Sequence, residues 1–175
     1  MLEKLKTCLC QNFGAAIEML GNAIAKCPKE MWETDDKFFY LSYHTVIFLD
    51  YYLSIPMDKF SPTLAYSLAD PEKLPAQAVD DVLPLRRFEQ LEVMDYILQI
   101  KGKCRDLILQ CPEDRFHQPW IKATDLGLHL GCPQTVANYS VLEILFYNLR
   151  HHVGQLNLLL RQQDYQAPAW VAMVD

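Results

Sequence analysis

Two histidines, His44 and His152, stand where apolar residues are expected, and they carry the main chemistry this sequence offers. On a helical wheel of segment 134–162, Leu142, Leu145, Leu149, Leu156, Leu159 and Leu160 fall within an arc of about 100°. His152 lies inside that arc, with Asn148 and Gln155 on its flank and His151 toward its edge. Glu143, Arg150, Asn157 and Arg161 lie opposite. An unpaired polar group in a core costs about 1–3 kcal/mol, so a buried trio of Asn148, His152 and Gln155 needs partners. A second segment repeats the anomaly: Tyr40, Leu41, Ile47, Phe48 and Tyr51 form an apolar, aromatic face with His44 in its middle. Imidazoles aimed into one interior from separate helices are how a helical bundle builds a metal site. Neutral imidazole is the commonest ligand for Zn, Ni, Cu or Fe. The alternative is a pair of core histidines satisfied by hydrogen bonds, with Tyr40, Tyr43, Tyr51 and Tyr147 as partners. His117 and His129 fall between the third and fourth helical segments and are expected at the surface or behind the ligands.

The elements that must position these residues are four helical segments, Leu2–Lys26, Thr34–Ser54, Leu85–Gln110 and Gln134–Gln162. Proline punctuates them. Cys27-Pro28 and Cys111-Pro112 end the first and third, because the residue before a proline is pushed out of the helical region. Thr34, Asp35 or Asp36 can cap the second, and Gln134 or Thr135 opens the fourth. Five of the ten prolines lie between Ile55 and Leu85, so that stretch reads as a long connection with a short helical piece near Thr63–Ala69. No Asn-Gly or Asp-Gly hairpin signal is present, and strand evidence is thin. The Cys-Pro-Lys-Glu-Met-Trp run at 27–32 and the Cys-Pro-Glu-Asp-Arg-Phe run at 111–116 form a faint internal echo. The tail from Tyr165 to Asp175 reads as a docked extension. A long second connection lets helices two and three run parallel, which predicts an all-α, up-down-down-up four-helix bundle in a single domain over 1–175.

The 175 residues include 51% hydrophobic and 22% charged side chains, enough for a core without metal or disulfide staples. Sixteen basic and 22 acidic side chains give a net charge of −6, which argues against a phosphate-binding face and so against nucleic acid. The apolar runs are far shorter than the ~20 residues of a membrane span, and the first residues read as an amphipathic helix. A cytoplasmic protein is expected. The six cysteines form no Cys-x-x-Cys pair and read as reduced thiols packed as small hydrophobes. Phosphate loops, Gly-x-Ser-x-Gly elbows and His-Glu-x-x-His are all missing from the sequence.

The run Tyr43-His44-Thr45 with Phe48-Leu49-Asp50-Tyr51, and the run from Tyr147 through Asn148, His151, His152 and Gln155 to Gln162, resemble the DinB/YfiT-like superfamily of metal-dependent four-helix-bundle proteins. The resemblance extends from the first helix to about Gln162 and implies the same up-down-down-up bundle. It also implies a three-histidine site, with one ligand from helix two and two from helix four. Carried over residue by residue, His44 takes the helix-two position, His152 the second helix-four position, and Asn148 stands where the family has its other histidine. An amide carbonyl is a weaker ligand than imidazole. The implied cofactor is a divalent metal ion, zinc or nickel first. The implied activity is a metal-dependent thiol transferase or a hydrolase that activates a bound thiol or water for a small-molecule substrate. Tyr43, Tyr51 and Tyr147 would be pocket walls or acids. The competing expectation is a non-catalytic, ligand-binding or stress-related interaction module whose metal site has degenerated at Asn148, closed by internal hydrogen bonds. Apolar residues on more than one side of helices one and three suit a homodimer.

Overall fold

The computed structural model describes residues 1–56, 59–121, 136, 138–147 and 150–174. They are mostly helical. Helix α1 (Leu2–Lys26) ends where expected: Cys27, forced by Pro28 out of the helical basin, has ψ 121°. Helix α2 (Lys29–Thr34) follows at once, and α3 (Asp36–Leu53) begins after Asp35, whose carboxylate accepts from Phe38 N at 2.9 Å as its N-cap. The second predicted segment is therefore shorter than Thr34–Ser54, since Thr34 closes α2. Helix α4 spans Gln90–Gln110, starting later than the predicted Leu85 because Glu89 and Glu92 form the capping box that opens it, and it ends at Cys111 with ψ 121° before Pro112. Helix α5 (Glu113–Phe116) then matches α2 in place. The Cys-Pro echo is thus structural: each pair stops a long helix and opens a short one.

Two expectations are corrected. The stretch at 63–69 is not helical; Tyr66–Leu68 (β1) pairs antiparallel with Val82–Pro84 (β2), Tyr66 opposite Pro84 and Leu68 opposite Val82. The proline-rich connection is therefore a small hairpin with a long tip, which a search for tight-turn dipeptides misses. The fourth segment is not one continuous helix. Helix α6 (Val141–Phe146) begins after Ser140, whose hydroxyl accepts from Glu143 N while the Glu143 carboxylate accepts from Ser140 N, and stops at Tyr147 with ψ 76°. Helix α7 is Arg150–Gln162. Gln134, Thr135, His129 and Cys132 lie outside the described residues.

Helix α1 packs on α4 and α7, and α3 packs on the same two; Trp32 of α2, Val82 of β2, Phe116 of α5 and Leu145 of α6 join the same core. Ile17, Leu20, Ile24, Phe38, Val46, Ile47, Ile108, Leu156 and Leu160 are fully buried in it. Helix α3 also carries a charged group inside: Asp50, 4% exposed, accepts from Tyr96 Oη at 2.6 Å and pairs with Lys103 Nζ at 2.6 Å, while Lys103 also donates to Ser54 Oγ at 2.5 Å. This network fastens the end of α3 to α4. The cysteines follow the expected pattern in part: Cys27, Cys104 and Cys111 are buried, Cys10 half-buried and Cys8 exposed, all five as free thiols. Burial pushes the Cys27 and Cys104 thiols up to about 12, so neither forms a thiolate readily.

The tail does dock. Val174 N donates to Gln11 O at 3.4 Å, and the Val174 side chain lies against Gly14 so closely that a Cβ there would collide with it. Gly14→Ala should gain about 1 kcal/mol of helix propensity in α1 while releasing the tail. Hydrogen exchange would register this as faster exchange over 166–174 with no loss in unfolding midpoint; unchanged exchange would refute the contact.

Candidate metal centre

His44 and His152 do meet. His44 sits mid-way along α3 and His152 in the first turn of α7, and their rings lie 5.0 Å apart, centroid to centroid, at 77°. His44 is flanked by Phe48 on the next turn, with ring centroids 4.6 Å apart. His151 packs its ring on His152 at 3.6 Å but is itself exposed, in keeping with its place at the arc's edge. The polar group at this point is less buried than the leucine arc implied: His152 is half-buried and Gln155 exposed. The physical reason is the tip of the hairpin, residues 76–79, which stands off α7 and leaves a groove of about 430 Å³ beside His152. Asn148 lies outside the described residues. His117 is exposed, as expected.

The sequence reading missed Asp80. It lies just before β2, where its Oδ1 accepts from Val82 N at 2.9 Å and its Oδ2 meets His44 Nδ1 at 2.6 Å. The turn thus holds the carboxylate and the carboxylate holds the imidazole. A single acidic residue in a long loop has no periodicity to betray it; the one available signal was the Asp-Asp pair opening the run Val82-Leu83-Pro84.

These bonds decide which nitrogen of each ring is available. A carboxylate can only accept, so His44 presents a proton on Nδ1, and the ring in its neutral form keeps its lone pair on Nε2. His152 Nδ1 meets Gln155 Oε1 at 2.9 Å, an acceptor too, so its lone pair is also on Nε2. Neither Nε2 has a hydrogen-bond partner among the described residues. Burial is the main force that lowers the His152 pKa to about 4; the nearby His44 and His151 add to it, and the Gln155 hydrogen bond and Asp80 oppose it. His152 is therefore neutral at pH 7, the state a ligand or base requires.

Between about 4 and the ordinary histidine value of 6.5, the unfolded chain takes up a proton at His152 that the folded chain refuses. Stability is therefore greatest above 6.5 and falls as pH drops toward 4. The thermal midpoint at pH 5 should be below that at pH 7, with a smaller drop in His152→Gln. An equal drop in both would discard this account.

The tyrosines are corrected. Tyr43 is buried, and its hydroxyl donates toward the Leu64 and Ala65 carbonyls, each at 3.1 Å; burial raises its pKa far above the ordinary phenol value. It is a tie between α3 and the hairpin, not an acid. Tyr51 is fully buried with its ring edge-on to Trp120, and Tyr147 is exposed. Among the described residues, no three His, Cys, Asp or Glu side chains converge in an arrangement that would hold a metal ion by themselves. What the described residues offer a metal ion is two neighbouring imidazoles, one of them held by a carboxylate. Compared with protein-family models, curated proteins and solved structures, the chain gives no match. No helix among the described residues is long and apolar enough to cross a membrane.

Proposed function

We propose that this chain is a DinB-like, up-down-down-up four-helix-bundle protein that binds a divalent metal ion, zinc or nickel first, through Nε2 of His44 and Nε2 of His152. Asn148 would complete the set with its carbonyl. The observation that carries the reading is the pair of rings 5.0 Å apart on separate helices, each with Nδ1 engaged by an acceptor and Nε2 uncommitted. Asp80 behind His44 is the carboxylate–histidine relay that commonly stands behind a metal ligand; it fixes the tautomer and makes the ring a better donor. Such an ion would supply Lewis acidity to a thiol or water. The chain's own residues would orient the ligands, keep His152 neutral and admit a small molecule along the groove. That open groove favours an active site over a degenerate site sealed by its own hydrogen bonds.

A second reading rests on the same 2.6 Å bond. Asp80 and His44 form a dyad in which the imidazole can take a proton at Nε2 without a metal, as a general base. Titration calorimetry with zinc and nickel on untagged, chelator-treated protein tests the first reading. Saturable binding of one ion per chain, with a raised thermal midpoint, supports the metal centre. No heat and no stabilisation would overturn it and leave the dyad.

A further inference from the structure

The groove beside His152 has two chemically distinct ends. Along α3, residues 37, 41 and 44 follow one another at helical spacing, so Lys37, Leu41 and His44 lie on one side of the helix. Along α7, His152, Gln155, Leu159 and Gln162 form the facing stripe. The hairpin tip supplies the third wall through Ala76, Ala78 and Val79. The imidazoles close one end. Lys37 stands at the other, seven residues or about 10 Å along the helix axis.

Between the ends Leu41, Ala76, Ala78, Val79, Leu158 and Leu159 form apolar walls, interrupted by the amides of Gln77, Gln155 and Gln162. Val79 and Leu158 are 45% and 52% exposed, large apolar side chains left facing solvent at the groove. Lys37 makes no hydrogen bond or ion pair with any of the described residues. The acids next to it are already engaged: Asp36 pairs with Arg87, and Asp35 caps α3 and accepts from Gln163 Nε2 at 2.6 Å. A cation without a partner among the described residues, a largely aliphatic wall and a pair of imidazoles at the far end together describe a ligand of matching shape and polarity.

We propose that the groove binds a small amphipathic carboxylate, its carboxylate on Lys37, its alkyl body against Leu41, Val79, Leu158 and Leu159, and its other end toward His44 and His152. The assignment of the reacting end rests on the function proposed above; the binding of the alkyl carboxylate does not. A medium-chain fatty acid has the required length.

Octanoate, octanol and octylamine are the probes, titrated calorimetrically into chelator-treated full-length protein and again after zinc is added. Octanoate should bind both preparations, about fivefold tighter than octanol, the upper end for an exposed ion pair. Octylamine should be weakest. Lys37→Met should bring octanoate down to the level of octanol. Leu158→Glu, a change at an exposed position that spares the core, should weaken octanoate and octanol alike. Equal affinity for all three probes, octanoate binding unchanged by both substitutions, or no octanoate binding in either preparation would overturn the proposal. If octanoate binds as expected and zinc does not, the metal centre fails while the groove stands.

Discussion

Lys103→Met should lower the thermal midpoint by roughly 6–12 °C. The substitution leaves the Asp50 carboxylate inside the bundle with Tyr96 as its remaining side-chain donor, and breaking a buried ion pair from one side costs about 3 kcal/mol or more. The low end applies because the Lys103 side chain is 31% exposed, so some of the pair's attraction is already screened. For a domain of this length each kcal/mol moves the midpoint by about 2–4 °C. The double variant Lys103→Met with Asp50→Leu should recover much of the loss, because the stranded charge goes too. Scanning calorimetry on the wild type, both single variants and the double closes the cycle. A Lys103→Met midpoint within 2 °C of the wild type, as a rough threshold, would show that Asp50 is not held by charge.

His44→Ala and His152→Ala should each abolish measurable zinc or nickel uptake, and Asp80→Asn should weaken it by about 10–100-fold. The gradation is the point. Removing a ligand takes away a metal bond, whereas Asp80→Asn keeps the shape and hydrogen-bonding reach but removes the charge that makes the His44 ring a strong donor. His151→Ala should change affinity little, since that ring is exposed and stacks on His152 without the uncommitted pair's geometry. Competition with a chromophoric chelator gives all four affinities. Asp80→Asn equal to wild type would remove Asp80 from the site, and uptake by the double variant His44→Ala with His152→Ala would place the ion elsewhere.

Much of the framework was legible because it rests on local rules. The ends of α1 and α4 follow from two Cys-Pro pairs, and the meeting of His44 with His152 follows from an imidazole on each of two apolar faces. The break at Tyr147 was not legible, since leucines continue in helical register through Leu149 and a wheel assumes one unbroken axis. Neither was the hairpin. Its pairing depends on contacts such as Tyr43 with the Leu64 and Ala65 carbonyls, which join residues some twenty positions apart. Asp80 was hidden for the same reason: its value comes from where the hairpin sets it, not from its neighbours in the chain. The open groove follows too, because wheels report which way a side chain faces but not whether a loop covers it.

The strand pair and its long tip divide the second connection into parts with different freedom to vary. Between Leu74 and Ala76 the backbone makes no hydrogen bond to either strand, so an added or deleted residue there would reshape the mouth of the groove without moving the ladder. Between Asp80 and Pro84 a single inserted residue would shift the ladder by one, turn the alternation over and carry the carboxylate off His44. The same stretch of chain can thus diversify what enters while the group that sets the imidazole stays in register.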